Sequence, residues 1–183
     1  VSQNVSIATR VKKYPKHLGI REVIQNCIEG DGKTGATDIQ ILSLQTKVSG
    51  FTGNAPKFAV WDNGPGMTAD MLVKLTDMAS STKQMRGTNN PNFGEGEVAS
   101  TLSYNSYGVW WISRKDGKTN LVWIKFEGED TGRHEFDEVC PVNNSIRVMN
   151  IDGSPLFESF KEQYPELFDT DEPFTLKVFL GDT

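Results

Sequence analysis

The sequence predicts an α+β fold, with one mixed, largely antiparallel sheet and helices on one of its faces. Three observations point that way. Two apolar runs, Tyr107–Arg114 and Asn120–Phe126, flank Lys115-Asp116-Gly117-Lys118, and an Asp-Gly loop between such runs signals a hairpin, hence an antiparallel pair. Apolar residues recur at helical spacing in two separate stretches. The strand-like runs sit in hairpins, with the helices apart from them, which favours α+β.

Taken in order, residues 1–18 are polar and partly basic, through Lys12, Lys13 and Lys16, and carry no period. From Gly19 to Gly30, Ile20, Val23, Ile24, Cys27 and Ile28 form one helical stripe. The glycine-rich stretch Gly30-Asp31-Gly32-Lys33-Thr34-Gly35 stops that helix. Strand-like runs follow at Asp38–Gln45 and Lys57–Trp61, joined by a Gly-containing loop. Ala69–Ala79 carries Met71, Leu72, Leu75 and Met78 at helical spacing. Residues 80–97 turn polar and rich in Gly and Asn, and a long loop inside a domain is usually functional or disordered. Val98–Tyr104 reads as a short helix where that loop ends. Residues 127–150 are ambiguous, with strand character at Ser145–Met149. Ser154–Phe168 reads as a helix interrupted by Pro165, and Phe174–Leu180 as a last apolar strand.

The 183 residues suit a single domain, 1–183, with a real core. Hydrophobic residues make up 37% and charged residues 23% of the chain, and its formal net charge is −5. That balance gives no global basic footprint for nucleic acid or an anionic membrane. No apolar stretch approaches the roughly 20 residues of a membrane helix, and no signal peptide opens the chain. It begins with Val1, and the expectation is the N-terminal part of a longer protein. Cys27 and Cys140 have neither metal-ligand nor disulfide-framework spacing. Cys27 falls on the apolar helix face as a buried free thiol. A reducing compartment follows as the expectation, cytoplasmic, or nuclear in a eukaryote.

Three motifs carry chemistry. The run Ala59-Val60-Trp61-Asp62-Asn63-Gly64-Pro65-Gly66-Met67 places a carboxylate at the end of an apolar strand, then two glycines. Without Cβ atoms, Gly64 and Gly66 let the backbone turn sharply and let a flat ligand approach. A plain strand-to-loop turn is the simpler reading. On the first helix, Glu22, Asn26 and Glu29 fall within roughly 60° of one another, nearly opposite the apolar stripe. A solvated polar face explains that helix alone. The same stripe can also offer an acid/base carboxylate and a hard-oxygen ligand of the kind Mg²⁺ takes. Finally, Phe93-Gly94-Glu95-Gly96-Glu97 sets two glycines before the short helix, where exposed N–H groups favour an anion. There is no P-loop and no G-x-G-x-x-G dinucleotide fingerprint.

In this order, E-x-x-x-N-x-x-E, D-x-G-x-G-M, Ser/Thr-Lys and G-x-G resemble the GHKL, or Bergerat-fold, ATPases. These include gyrase-type topoisomerases, the ninety-kilodalton heat-shock chaperones, histidine kinases, MutL and the MORC proteins. The resemblance covers about residues 18–112, with a further match at Phe174–Leu180, and its flavour is nearest the MutL, MORC or phage-type members. It implies a two-layer sandwich with helices on one face of the sheet and an ATP lid. It also implies ATP binding and hydrolysis with Mg²⁺, in a nucleotide-gated switch or dimerisation clamp. Glu22 then resembles the general base, Asn26 the Mg²⁺ ligand, and Glu29 a residue shaping the nucleotide pocket. Asp62 resembles the acceptor for the adenine amino group, Gly64 and Gly66 the glycines under the base, and Met67 its packing neighbour. Thr82 and Lys83 resemble the start of the lid, and Gly94, Glu95 and Gly96 the phosphate cradle. Thr175 resembles the strand threonine near adenine.

The resemblance implies ATP and an ATP-dependent second copy of the chain as partners, any DNA or client protein being held through regions outside it, and no membrane. Glu97 departs from the pattern, because a carboxylate beside a triphosphate repels it unless it points away or toward Mg²⁺. Glu29 for Asp and Gly30 for Ala are milder departures. Glu22 favours hydrolysis over histidine-kinase phosphotransfer, and neither His17 nor His134 sits in a phosphoacceptor helix. The alternatives are a nucleotide-binding module with little or no hydrolysis, a histidine-kinase catalytic domain, and an interaction domain that binds no nucleotide.

Overall fold

In the computed structural model, which describes residues 18–29, 35–46, 56–80, 107–127 and 130–181, the strands join in one seven-stranded sheet. They are β1 (Ile39–Gln45), β2 (Pro56–Asp62), β3 (Val109–Lys115), β4 (Lys118–Glu127), β5 (Asp130–Arg133), β6 (Met149–Asn150) and β7 (Phe174–Phe179). Their order is β1-β2-β7-β3-β4-β5, with β6 beside β4. Every pairing among the described strands is antiparallel. The helices among these residues are α1 (Leu18–Glu29), α2 (Ala69–Ser80), α3 (Pro155–Gln163) and α4 (Pro165–Phe168). The α+β class and the antiparallel character of the sheet are as expected.

The expectation of helices on one face, in two layers, is corrected. Side chains alternate between the faces of a strand, and here both faces are buried. Val60, Val109, Trp111, Val122 and Ile124 pack with Val23 and Cys27 of α1 and with Ala69, Leu72 and Leu75 of α2. Trp61, Trp110, Ile112, Leu121 and Leu176 pack instead with Phe157 and Phe160 of α3 and Leu167 and Phe168 of α4. The cause lies in the strands themselves. In β3 and β7 the residues are buried in unbroken runs rather than alternately, and such strands need cover on both sides.

Local signals account for most element boundaries. Asp116 and Gly117, with φ of 53° and 75°, are the two central residues of the β3–β4 hairpin, the geometry of a tight two-residue turn. Ser154 caps α3 by accepting from the Phe157 N–H at 3.2 Å, and Pro155 fills the first helical position, where its missing N–H costs nothing. Pro165 separates α3 from α4, as expected. The strand character at Ser145–Met149 reduces to β6, and the chain before it is held in turns, with Asn144 in the left-handed region. On the second face, Arg114 is buried and bonds the Thr119 hydroxyl at 2.8 Å and the Thr170 carbonyl. Its guanidinium also lies 3.6 Å from Asp152 and 5.4 Å from the centre of the Phe157 ring. Asp152 titrates below the ordinary carboxylate range. Burial pushes it up, but the Thr119 N–H and hydroxyl, the Asn150 amide and Arg114 together outweigh that.

Candidate functional site

The site is built where β2 ends. Asp62 is the last residue of β2 and lies directly across from Thr175 of β7, and Val60 faces Lys177 in the same register. Cross-strand partners share a face, so Asp62, Thr175 and Lys177 lie on the side that packs against α1 and α2. Asp62 is only 6% exposed. Its Oδ1 accepts the Gly64 N–H at 2.9 Å. Burial pushes its carboxyl above the ordinary range, and Lys177, the Gly64 N–H and the Cys27 thiol pull the other way without cancelling that push.

The glycine turn is seated on the neighbouring strands. Gly66 has φ +70°, and a Cβ there would collide with the Arg114 carbonyl oxygen of β3. Met67 follows, its side chain against the core of the first face, while its N–H donates to the Ser113 hydroxyl at 2.7 Å. That hydroxyl in turn bonds the Phe174 carbonyl at 2.8 Å and lies 2.9 Å from the Thr175 hydroxyl. Ser113 is therefore the hub that joins the turn, β3 and β7.

Helix α1 docks over the same turn through the chain that follows it. The Ala36 N–H donates to the Cys27 carbonyl at 2.8 Å. Asn63 latches that stretch down, its Oδ1 accepting the Thr37 and Asp38 N–H groups at 2.9 Å and its Nδ2 donating to the Thr37 hydroxyl at 2.9 Å. The result brings Cys27 onto Asp62, and its neighbour Asn26 is only 9% exposed. Glu29 is exposed at the end of α1, where it accepts from the Gln25 amide. Glu22 falls within α1, with its side chain outside the described residues. Thr82, Lys83, Gly94, Glu95 and Gly96, with Glu97 and the expected lid, also lie outside them.

Chemically, the described part is a buried pair, the Asp62 carboxyl and the Thr175 hydroxyl, beneath a helix that carries the Asn26 amide. No group of three or more His, Cys, Asp or Glu side chains gathers as a metal site among the described residues. Asn26 would offer an Mg²⁺ ion one amide oxygen, which fits an ion that draws its other ligands from phosphates and water. Sequence reasoning missed Ser113, Asn63, Lys177 and the contact of Cys27 with Asp62. The signals available were a serine ending the apolar run Val109–Ile112 and a lysine inside the apolar strand Phe174–Phe179. Among the described residues no helix is long and apolar enough to cross a membrane. No protein-family model matches the chain, and no curated protein matches it.

Proposed function

We propose that this chain binds Mg·ATP and hydrolyses it, as a nucleotide-gated switch or dimerisation clamp built on a Bergerat-type fold whose second sheet face is covered in addition by α3 and α4. The observation that carries the reading is the buried Asp62–Thr175 pair, on the sheet face that α1 covers through Val23 and Cys27. Asp62 is only 6% exposed, and burial keeps its carboxyl above the ordinary range despite the Gly64 N–H, the Cys27 thiol and Lys177. Perturbations of that kind cluster at functional sites. A ligand amino group donates to Asp62 in this reading, and the glycines at 64 and 66 let the turn that carries it seat closely on Asp62 and on the Arg114 backbone. Met67 packs at the same turn. Asn26 holds Mg²⁺ against the phosphates, Glu22 orients the attacking water, and Glu29 borders the pocket from the end of α1. Thr82, Lys83, Gly94, Glu95 and Gly96 close over the phosphates as the lid. Ordering of such a lid by the γ-phosphate couples nucleotide state to association of two copies, and turnover by a single copy is slow.

The test is Mg·ATP binding and phosphate release by the parent chain, Asp62→Asn and Glu22→Ala. Asp62→Asn is expected to weaken binding by about 10- to 100-fold, the worth of a hydrogen bond to a charged group. Glu22→Ala is expected to keep binding and to lower phosphate release by about 10²- to 10⁴-fold, the usual contribution of a positioned base. Binding without release by the parent chain would favour the binding-module reading instead. No binding of any adenine nucleotide would sink the proposal.

A further inference from the structure

Ser113 has no exposed surface, and its single hydroxyl meets three groups. The Met67 N–H lies 2.7 Å from Oγ, the Phe174 carbonyl oxygen 2.8 Å away, and the Thr175 hydroxyl 2.9 Å away. A serine hydroxyl has one proton to donate and two lone pairs. The Met67 amide can only donate, so it takes one lone pair. The Phe174 carbonyl can only accept, so it takes the proton. What remains for Thr175 is a lone pair, and the Thr175 hydroxyl must therefore donate to Ser113. This is the one proton arrangement that satisfies all three contacts. It turns the Thr175 proton inward and leaves that oxygen with lone pairs alone for anything else it meets. Thr175 lies directly across from Asp62 on one side and from Ser113 on the other. Asp62 is already accepting, from the Gly64 N–H and the Cys27 thiol. The two groups form a wall of acceptors with no donor in it.

We propose that Ser113 is a specificity-determining positioning residue: by fixing the Thr175 proton inward, it makes the Asp62–Thr175 wall accept only, so the pocket selects a 6-aminopurine nucleotide over a 6-oxopurine one. The inference rests on the nucleotide-site reading above. An amino group offers two N–H donors to two acceptors. A 6-oxo group turns a lone pair toward the same wall, and an acceptor facing an acceptor leaves both unpaired in a buried site. Without Ser113 the Thr175 hydroxyl is free to rotate and donate. The wall then accepts at Asp62 and donates at Thr175, the complement of the N1–H and O6 of a 6-oxopurine.

The experiment compares Mg·ATP with Mg·ITP, which differ only in the 6-substituent and the N1 proton that goes with it, by calorimetric titration of the full chain, Ser113→Ala and Ser113→Thr. The wild-type chain is expected to prefer ATP by about 10- to 100-fold, the effect of leaving buried polar groups unpaired. Ser113→Ala is expected to lower that preference about tenfold, the worth of one hydrogen bond. Ser113→Thr, which keeps the hydroxyl, is expected to restore it. A merely structural role would weaken both nucleotides alike and leave the ratio alone. If Ser113→Ala does not fold, Ser113→Cys, with its weaker donor, is expected to lower the ratio in the same direction by about threefold. An unchanged ratio in whichever variant folds, with ATP still bound, overturns the Ser113 assignment and leaves the nucleotide site standing. Binding of neither nucleotide by the wild-type chain overturns both.

Discussion

Asp62 and Gly66 show how two residues of one turn are held for opposite reasons. Burial raises the folded-state pKa of Asp62 above the 3.8 of an ordinary aspartate. A raised pKa means that the folded chain holds this proton more tightly than the unfolded one. Its contribution to stability is then complete below about pH 3.8 and is lost as pH rises through the folded value. At neutral pH the ionised group is a net cost, which Asp62→Asn removes. Thermal unfolding of Asp62→Asn is expected to show a higher Tm than the parent near pH 7, by about 2–4 °C for each kcal/mol relieved. The gain should vanish toward about pH 4, and a lower Tm at neutral pH would contradict it. Gly66 is held by geometry instead. Its left-handed φ and the Arg114 carbonyl above it both exclude a side chain, whereas Gly117, at φ +75°, has nothing within 4 Å of a Cβ. Gly117→Ala is expected to lose about 1–2 kcal/mol for the left-handed backbone alone. Gly66→Ala should lose about 2–4 kcal/mol, since the collision adds to that. Denaturant unfolding of the two variants isolates the collision as the difference. Both residues were legible in the sequence because their motif is contiguous. Ser113 and Lys177 reach the same site from distant strands, and nothing local in the chain says which strand residues will stand opposite one another.

At the scale of the elements, β1 poses the problem of an open edge. Among the described strands it ends the sheet, and its sequence, Ile39-Gln40-Ile41-Leu42-Ser43-Leu44-Gln45, contains no charge or proline that would discourage pairing with another chain. Ile41 is 57% exposed. Part of the edge is closed by the end of α3. The Gln163 side chain accepts the Gln45 N–H at 2.7 Å and donates to the Gln45 carbonyl at 2.8 Å, while the Tyr164 hydroxyl donates to the Ser43 carbonyl at 3.2 Å. A single amide thus imitates the next strand. Gln163→Ala is expected to destabilise the fold by about 1–2 kcal/mol, the worth of two partly exposed hydrogen bonds. It should also raise concentration-dependent association, read by light scattering. Unaltered scattering together with unaltered stability would show that the cap is incidental. This device could not be read in advance, although the helix around Gln163 could. The stripe of Phe157 and Phe160 fits any apolar surface, and only the packed sheet shows that it covers the face opposite α1. The hairpin at Asp116-Gly117 was legible because its signal is local. β5, with Asp130 and Gly132 among its four residues, lacks the apolar alternation that marks a strand.

For the whole molecule, the decisive fact is that the last strand is an inner one. β7 lies between β2 and β3, is buried along its full length, and is the only described link between the β1–β2 pair and the β3–β4 hairpin within the sheet. Thr175 stands on β7 opposite both Asp62 and Ser113, so the acceptor wall exists only once residues more than a hundred positions apart have met. Contacts of that separation form late, because the loops that close them carry an entropy cost before any contact compensates. The same topology welds site to fold. Phe174, Leu176 and Val178 complete the core on the second face while Thr175 and Lys177 face the site on the first. A chain ended at Pro173 would therefore keep every residue of the Asp62 turn and of α1, yet lose the strand that joins its two halves. Its expected behaviour is a loss of the cooperative thermal transition and of near-ultraviolet circular dichroism, with no binding of Mg·ATP. Adding a peptide of residues 172–183 is expected to restore both, because the missing strand has a neighbour waiting on each side. A cooperative transition of parental size in the shortened chain would show that the two halves fold without β7, and that the central position of this strand is not what holds the molecule together.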